Sequence, residues 1–334
     1  MENLQALYQG RTVLVTGAAG AIGSNLCKRL SQLGANILAV DDLSSSKIWN
    51  LPHAKNVRFI KADILDESRM LPVFEQRPQV VFHLAGFFAN ENSIEHPERD
   101  LMVNGMGTLR MLVLARRFGV EALVYASSSS IYGNATDRLD ENMASIRLTS
   151  PYQISKRLGE QYCSFFSEFY RLRVVKARLF NSYGPGDAPG KYRSVIPNLI
   201  YLALKRQPLP IMGTGDETRD FTYVEDIVQG LISSAVCESA IGKELNLCSG
   251  VETRIGELAE RINFLTGNSA GICFQPPRKW DEQRRRRGSY DLANKLLGYE
   301  PGIDLDTGLP QTIQWFQENW GLIEHSGQYL DRTG

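Results

Sequence analysis

The chain has 334 residues, of which 43% are hydrophobic, and its 37 lysines and arginines balance 37 aspartates and glutamates. This composition excludes a disordered, collagen-like or coiled-coil protein. Because the formal net charge is zero, the chain as a whole is not attracted to nucleic acid or to an anionic membrane. We therefore expect a small-molecule enzyme, with neither nucleic acid nor a membrane among its partners.

No segment has the features of a targeting or membrane-spanning sequence. The first residues, MENLQALYQGRTV, lack the basic and apolar regions of a signal peptide. No later run approaches the ~18 uncharged apolar residues of a membrane span. The five cysteines and four histidines are scattered, so we predict no disulfide framework and no metal site. Together these features predict a cytoplasmic protein.

Short apolar segments rich in β-branched residues alternate with helical patterns over the first 180 residues or so. The predicted strands are residues 12–16, 36–40, 57–62, 80–84, 122–127 and 174–180. The predicted helices are one that follows Gly17, runs through Leu26, Leu30 and Leu33 and ends at Gly34, and those at residues 67–76, 101–118 and 152–170. Buried strands that alternate with helices predict an α/β fold with a doubly wound parallel sheet, the Rossmann arrangement.

Glycine and proline interrupt this alternation after residue 183. We place there the start of a smaller C-terminal α+β substrate lobe, built from residues 184–220 and 251–326. Residues 222–236 are predicted as a helix and 244–247 as a strand, so that 221–250 return to the main domain, which otherwise spans 1–183. The last residues, 327–334, are predicted to be frayed.

The turn between the first strand and the first helix has the spacing GxxGxxG, with Gly17, Gly20 and Gly23. Glycines there let backbone N–H groups approach a pyrophosphate at the positive end of a helix. Asp41 ends the second strand, where a carboxylate holds the adenosine ribose hydroxyls and repels a 2′-phosphate. The pattern predicts NAD rather than NADP. Asp63 ends the third strand and has two interpretations, an adenine contact and a plain helix N-cap.

Tyr152 and Lys156 are four residues apart on a predicted helix, so their side chains project from one face. An ammonium near a phenol can lower the pKa of the phenol and supply a general base for a sugar or alcohol hydroxyl. The pattern YxxxK is commonplace and is usually only a surface pair. It gains weight from the serine run that includes Ser128, which closes a strand at the carboxyl edge of the sheet, where α/β enzymes bind ligands.

This ordered set of motifs resembles the extended short-chain dehydrogenase/reductase family, and within it the nucleotide-sugar epimerases and dehydratases. The resemblance covers nearly the whole chain. It rests on GAAGAIG at 17–23, Asp41, Asp63, HLAG at 83–86, VNGMGTL at 103–109, the serines at 127–130, Tyr152, Lys156, RLFNSYGP at 178–185 and RDFTYVED at 219–226. One departure is Gly86, where the family usually has alanine, and we expect it to matter little.

The resemblance implies a bound NAD and a nucleotide-diphosphate sugar as substrate. The residues implied to contact NAD are Gly17, Gly20, Ala21, Ile22, Gly23, Asp41, Asp63, Ile64, Leu84, Ala85, Asn104, Tyr152 and Lys156. By the same resemblance Tyr152 is the catalytic base, Lys156 positions the ribose and tunes Tyr152, and Ser128 hydrogen-bonds the reacting hydroxyl. The residues implied on the substrate side are Ser129, Asn181, Arg219, Arg285 and Arg286.

Residues 278–289 contain the one dense cation cluster of the sequence. Arginine forks suit a pyrophosphate, but a run of charges is usually a solvated surface. We expect at least two of the four arginines at 284–287 to be solvated, and we match the family's lobe arginine to Arg285 or Arg286. Trp280 has two interpretations, a core residue and a platform for the nucleotide base.

The two positions after Ser128 distinguish the chemistries of the family. By resemblance, 4,6-dehydratases carry Asp-Glu there and UDP-glucuronate decarboxylases carry Glu at the second position, whereas this chain has Ser129 and Ser130. We therefore favour an NAD-dependent 4-epimerase acting on a UDP-hexose or UDP-hexuronate through a transient 4-keto sugar. The alternatives are another epimerase, a decarboxylase or a dehydratase of the family, and a catalytically silent NAD-binding regulator. The resemblance also implies a homodimer through the helices at 101–118 and 152–170.

Overall fold

The computed structural model describes residues 4–278 and 285–325. Three subjects of the sequence predictions lie outside the described residues, namely Trp280, Arg284 and the tail at 327–334. The described strands are β1 Thr12–Thr16, β2 Asn36–Asp41, β3 Val57–Lys61, β4 Val80–His83, β5 Ala122–Ser128, β6 Arg138–Leu139, β7 Val174–Leu179, β8 Ser182–Tyr183, β9 Leu209–Met212, β10 Thr218–Arg219, β11 Thr222–Tyr223, β12 Glu244–Leu247, β13 Thr253–Arg254, β14 Ile272–Gln275 and β15 Arg287–Gly288.

The described helices surround these strands. The α-helices are α1 Leu4–Tyr8, α2 Ala21–Gln32, α3 Glu67–Phe74, α4 Asn90–Glu95, α5 Pro97–Asp100, α6 Gly107–Phe118, α7 Pro151–Tyr170, α8 Val195–Leu204, α9 Val224–Val236, α10 Ile255–Thr266, α11 Asp291–Leu297, α12 Leu305–Glu318 and α13 Trp320–His325. Short 3₁₀ turns are Ile48–Asn50, Ser129–Tyr132, Glu141–Met143 and Glu238–Ala240, and Leu101–Met106 is a π-helix.

Seven parallel strands form the central sheet in the order β12-β7-β5-β4-β1-β2-β3. The predicted α/β doubly wound parallel sheet is confirmed. The strand order reverses between β1 and β4, and the crevice at such a reversal, outside the carboxyl ends of the strands, is where open α/β sheets bind their ligands.

Apolar cores flank both faces of the sheet. Val13 and Val15 of β1 belong to one cluster of buried residues, whereas Leu14 belongs to another. Alternate residues of a strand point to opposite faces, so helices pack on both sides. A third core includes Leu199 of α8 and Ile211 of β9, and its buried residues lie between Tyr183 and Ile323 in the sequence. The division of the chain into two domains stays a prediction.

The helix predicted over 101–118 begins differently in the structure. Its first six residues, Leu101–Met106, are π-helical, and α6 begins at Gly107, whose N–H donates to the carbonyl of Met102, five residues back. The Thr108 hydroxyl donates to the carbonyl of Asn104 at 2.6 Å. Hydrophobic periodicity does not distinguish a short π-helix from an α-helix, and π-helical turns are frequent at functional sites.

Candidate active site

Two glycines of the β1–α2 turn and the first turn of α2, Gly17 and Gly23, have no room for a side chain. Gly17 has φ +69°, and a Cβ there would lie 2.7 Å from the backbone nitrogen of Ala85. A Cβ at Gly23 would lie 2.1 Å from the carbonyl oxygen of Gly17. The backbone N–H groups at the start of α2 are therefore open to close approach. This cradle fits the pyrophosphate of a dinucleotide.

Asp41, the last residue of β2, is fixed beside the glycine turn. Its carboxylate accepts hydrogen bonds from the N–H of Ala19 at 2.9 Å and of Leu43 at 2.8 Å. The Ser46 hydroxyl donates a third at 2.7 Å. A carboxylate held here suits the ribose hydroxyls of NAD and repels the 2′-phosphate of NADP.

The substitution Asp41→Ala is expected to weaken NAD binding and to narrow the difference in affinity between NAD and NADP. It removes both the acceptor for the ribose hydroxyls and the charge that repels a phosphate. The measurement is the dissociation constant of each cofactor. Asp66→Ala is the matched control, because Asp66 only caps α3, where it accepts a hydrogen bond from Arg69. Unchanged affinities for both cofactors would contradict the ribose role.

Three adjoining cavities contain most of the predicted site residues. The glycine-loop cavity, of about 250 Å³, is lined by Gly17, Gly20, Ala21, Ile22, Gly23, Asp41, Leu84, Ala85, Ser128, Ser129, Tyr152, Lys156 and Asn181. The aspartate cavity, of about 470 Å³, is lined by Asp41, Asp63, Ile64 and Ala85. The lobe cavity, of about 280 Å³, is lined by Ser128, Ser129, Tyr152, Asn181, Arg219 and Arg286.

Ser128, Tyr152 and Lys156 meet where β5 ends and α7 begins. Pro151 opens α7, and the Ser150 hydroxyl caps it by accepting the N–H of Gln153, which places Tyr152 on the first turn. Tyr152 is buried and lines the glycine-loop cavity together with Ser128. Lys156 Nζ donates to the carbonyl of Ala126 at 2.9 Å and lies 5.8 Å from the centroid of the Tyr152 ring.

Burial dominates the protonation of this pair. It raises the pKa of Tyr152, against the opposing effect of the Ser128 hydroxyl, and the charge of Asp100 raises that pKa further. Burial lowers the pKa of Lys156 to about 8, although the charge of Asp100 opposes this change. For the polypeptide's own groups, the prediction of a lowered tyrosine pKa is therefore wrong. The Lys156 ammonium is bonded to a backbone carbonyl of β5.

Asn104 is buried and does not line any of the three cavities. Its Oδ1 accepts the N–H of Phe87 at 2.8 Å, and its Nδ2 donates to the carbonyl of Phe87 at 3.1 Å and to Asp100 at 2.8 Å. Asn104 thus fixes the segment after β4. A Cβ at Gly86 would lie 3.1 Å from both Asn104 Oδ1 and Lys156 Nζ, so alanine would crowd the lysine. Direct contact of Asn104 with NAD stays a prediction.

Asp63 is not a helix N-cap, because α3 begins at Glu67 and is capped by Asp66. That interpretation of Asp63 is wrong. Its Oδ1 instead accepts the backbone N–H of Leu65, two residues on, at 2.9 Å, and its Oδ2 pairs with Arg99 at 3.2 Å. Its position in the wall of the aspartate cavity leaves it available to a nucleotide base. The adenine contact stays a prediction.

The two lobe arginines occupy different places. Arg286 is buried and donates to the carbonyl oxygens of Ser129 and Gly133, so that it fixes the serine turn while it lines the lobe cavity. Arg285 is 62% exposed, pairs with Glu252 at 2.7 Å and is not among the residues that line the cavity. The structure thus brings Arg286, but not Arg285, to the lobe cavity. Diphosphate contact by either side chain stays a prediction.

The cavities also contain residues that the motifs did not indicate. Those in the wall of the lobe cavity include Phe88, Asn90, Glu91, Tyr192, Arg193 and Asn198. Phe88 lies after β4, Asn90 and Glu91 begin α4, Tyr192 and Arg193 lie between β8 and α8, and Asn198 is in the first turn of α8. Sequence reasoning had no signal for them, because neither periodicity nor glycine spacing indicates which side chains face a cavity.

A buried ion pair supports the strand that ends at Ser128. Glu160 and Arg178 are each 1% exposed, with the Arg178 Nε 2.9 Å and Nη2 3.1 Å from the two carboxylate oxygens. The Ser127 hydroxyl donates to the same carboxylate at 2.7 Å. Burial alone would raise the pKa of Glu160, but hydrogen bonding and the charge of Arg178 lower it overall. Sequence analysis did not single out Glu160.

Residues 13–248 match the model of the NAD dependent epimerase/dehydratase family. The chain belongs to this family. The resemblance drawn from the motifs is confirmed, and so is NAD as the cofactor. Within the described ranges, no group of three or more histidine, cysteine, aspartate or glutamate residues could hold a metal ion, and no helix is long and apolar enough to cross a membrane.

Individual members of the family are similar over nearly the whole chain. A UDP-glucose 4-epimerase of Mycolicibacterium smegmatis is 34% identical over 308 residues, which are 91% of this chain and 98% of that protein. A UDP-glucuronic acid decarboxylase 1 of Xenopus tropicalis is 31% identical over 96% of this chain and 76% of that protein. The solved structure of epimerase Mth375 from Methanothermobacter thermautotrophicus is 50% identical, with a TM-score of 0.95, and covers 97% of this chain and 96% of that one.

Proposed function

We propose that the protein is an NAD-dependent nucleotide-sugar 4-epimerase that acts on a UDP-hexose or UDP-hexuronate through a transient 4-keto sugar. The observation that carries the proposal is the meeting of Ser128, Tyr152 and Lys156 in the wall of the glycine-loop cavity. The two positions after Ser128 are serines, which cannot protonate a departing hydroxyl. The similarity to a UDP-glucose 4-epimerase of Mycolicibacterium smegmatis supports the choice of uridine nucleotide.

The carboxylates of the lobe cavity support epimerisation over elimination. Among the described residues that line it, the acidic ones are Glu91 and Glu217. Glu91 pairs with Arg278 at 3.8 Å, and Glu217 accepts the N–H of Gly215 at 3.0 Å. Both lie outside the serine turn. A dehydratase needs an acid beside the departing hydroxyl. At the positions that follow Ser128, the lining of this cavity has Ser129 and Ser130 instead of an acid.

The mechanism assigns one task to each residue of the triad. Bound NAD supplies a hydride acceptor and donor and a positive charge, so that oxidation and re-reduction of sugar C4 leave no net redox change. The Tyr152 oxygen takes the proton of the sugar 4-hydroxyl and returns it at the end of the cycle. Ser128 hydrogen-bonds the same sugar oxygen, and Gly17, Gly20, Gly23 and Asp41 hold the cofactor.

Lys156 completes the base by its charge. Burial keeps Tyr152 protonated at neutral pH when only the polypeptide's groups act on it. An ammonium has three donors, and the carbonyl of Ala126 takes one of those of Lys156. The others can reach a ribose hydroxyl and favour the phenolate. The positive charge of Lys156, with that of NAD when it is bound, would lower the pKa of the phenol toward that of a working base.

The experiment that tests the function is incubation with UDP-, dTDP-, GDP-, CDP- and ADP-sugars, with the products followed by NMR. We expect the C4 epimer of a UDP-sugar and no accumulation of NADH, since the cofactor is regenerated in each turnover. Stoichiometric NADH would indicate a dehydrogenase, and loss of carbon dioxide or of water would indicate the other chemistries of the family. Tight NAD binding without turnover of any sugar would indicate the regulator.

We further propose a cytoplasmic homodimer. All five cysteines are free thiols and three of them are buried, which suits a reducing compartment. Several large apolar side chains are exposed on α6, α7 and the π-helix, among them Leu101 at 52%, Val113 at 47% and Phe169 at 69%. Phe165 stacks on Phe169 with 5.4 Å between ring centroids. An apolar patch of this kind is typical of an interface, and two such helices from each protomer would form a four-helix bundle.

The substitution Phe169→Glu is expected to convert the dimer to a monomer, because it places a carboxylate in the apolar interface. Light scattering at micromolar concentration measures the mass. Phe264→Glu is the matched control, since Phe264 is 86% exposed on α10, away from these helices. A wild-type protein with the mass of a single chain would overturn the proposal.

A further inference from the structure

Residues 190–194, between β8 and α8, lie where the three cavities meet. We call this segment the clasp. Arg193 and Phe88 are the two described residues that line all three cavities, and Arg193 is the charged one of the two. Ser194 lines the glycine-loop and lobe cavities, and Tyr192 lines the aspartate and lobe cavities. The clasp therefore lines the glycine-loop and aspartate cavities and also the lobe cavity.

Polar contacts attach the clasp to the elements around the cofactor cavities. Arg193 donates to the carbonyl of Ser45 in the turn after β2. Glu95, at the end of α4, accepts from Lys191 Nζ at 3.0 Å and from the Tyr192 hydroxyl at 2.7 Å. These contacts fix the two residues before Arg193 and the Arg193 side chain itself. The guanidinium is thus positioned between the Asp41 turn and the glycine loop.

Asn198 of α8 attaches the other end of the clasp to the substrate side. Its Oδ1 accepts the N–H of Gly190 at 3.0 Å, and its Nδ2 donates to the carbonyl of Gly190 at 3.1 Å. Asn198 itself lines the lobe cavity. The clasp is therefore continuous with the substrate lobe through this pair of hydrogen bonds.

The charged side chains of the glycine-loop cavity indicate which group of a bound dinucleotide Arg193 would contact. The cationic side chains among its described lining residues are Lys156 and Arg193, and the carboxylates are Asp41 and Asp187. Lys156 is bonded to Ala126 at the far end, beside Tyr152. Asp187 is buried, and burial raises its pKa to about 6 against the opposing charge of Arg193. A pyrophosphate on the glycine loop adds two negative charges here, and Arg193 is the cation placed to meet them.

We propose that Arg193 binds the pyrophosphate of NAD, so that the substrate lobe contributes a residue directly to the cofactor site. The glycine loop supplies backbone N–H groups to one side of the pyrophosphate, and the guanidinium fork, which matches phosphate oxygens, supplies the other. The Ser45 carbonyl, which accepts a hydrogen bond from Arg193, orients the guanidinium.

The test compares cofactor affinities of the wild-type protein, freed of any bound NAD, with those of Arg193→Ala. We expect the dissociation constants of NAD and of ADP-ribose to rise about 10- to 100-fold, the effect of losing a charge-assisted hydrogen bond. The dissociation constant of adenosine, which has no phosphate, should stay the same. Arg193→Lys keeps the charge without the fork and should give an intermediate loss. Arg261→Ala, which breaks surface ion pairs with Glu257 and Asp306, is the matched control and should bind as the wild type.

Three results would overturn the proposal. They are an unchanged NAD affinity in Arg193→Ala, an equal loss for adenosine and ADP-ribose, and a loss of UDP affinity with NAD affinity unchanged. The last would assign Arg193 to the substrate diphosphate. If Arg193→Ala does not fold, as judged by circular dichroism, Arg193→Lys decides, because a wild-type affinity in that variant contradicts a bidentate phosphate contact. If the wild-type protein bound no NAD, the assignment of NAD as its cofactor would be contradicted, rather than the role of Arg193.

Discussion

Tyr152→Phe is expected to lower kcat by about 10²–10⁴-fold, the contribution of a general base. The change removes the phenol oxygen that takes the proton of the sugar 4-hydroxyl and leaves the ring in its packing against Phe88, 6.0 Å away between centroids. The affinity for the sugar nucleotide should barely change, because Asn181, Arg219 and Arg286, which line the lobe cavity, are untouched. Steady-state kinetics on the preferred UDP-sugar, with the dissociation constant measured separately, test both expectations.

Two further substitutions make this result specific. Ser128→Ala should cost less than Tyr152→Phe, because it removes one hydrogen bond to the reacting oxygen and leaves the base in place. Tyr201→Phe removes a hydroxyl that donates to Glu324 in the lobe and should leave kcat unchanged. If the Tyr152→Phe enzyme interconverts C4 epimers at the wild-type rate, the chemistry has been assigned to the wrong group.

Local patterns were sufficient to predict the parts of this fold that local chemistry determines. Strand β1 and strand β12, Glu244–Leu247, have the predicted bounds, because a short β-branched or apolar run between turns has few alternatives. The glycine turn was predictable for the same reason. Gly17 requires a positive φ and Gly23 a close backbone contact, and few residues other than glycine satisfy either requirement.

Local sequence patterns do not predict contacts between residues that are far apart in the chain. Nothing local indicates that Arg285 pairs with Glu252 at the surface while its neighbour Arg286 is buried on the serine turn. The π-helix at Leu101–Met106 and the lining role of Arg193 depend in the same way on tertiary packing. The tyrosine–lysine spacing predicted proximity, but the direction of the Lys156 ammonium toward Ala126 follows from the position of β5.

Glu160→Ala is expected to lower the free energy of unfolding by about 3–5 kcal/mol, the cost of breaking a buried ion pair by removing one partner. The Arg178 side chain is 1% exposed and would be left without its carboxylate partner. Its remaining hydrogen-bond acceptors would be the Tyr132 hydroxyl, at 3.0 Å, and the carbonyl of Glu141, at 2.6 Å. Neither of these carries a charge. Denaturant unfolding measures the loss.

The exposed pair of Arg261 and Glu257 provides the matched control. Their side chains are 37% and 47% exposed and lie 2.7 Å apart, so Glu257→Ala should cost no more than about 1 kcal/mol. The double substitution Glu160→Ala and Arg178→Met should recover part of the loss, since no charge is then left buried. An effect of Glu160→Ala as small as that of Glu257→Ala would contradict the assignment.

The pH dependence of the stability of Glu160→Ala distinguishes the loss of an ion pair from the loss of packing contacts. The pKa of Glu160 is lowered in the folded protein from its ordinary 4.5, so folding releases a proton and the stabilisation is fully present above the ordinary value. It is lost as the pH falls through the lowered folded-state pKa. The difference in stability between wild type and Glu160→Ala should therefore shrink in acid, whereas a loss of packing alone would persist at every pH.

Glu160→Ala should also lose activity at neutral pH while the protein remains folded. The reason is that Ser127 donates a hydrogen bond to Glu160 at 2.7 Å and is bonded covalently to Ser128. Such a loss of activity would link the buried ion pair to the placement of the catalytic serine.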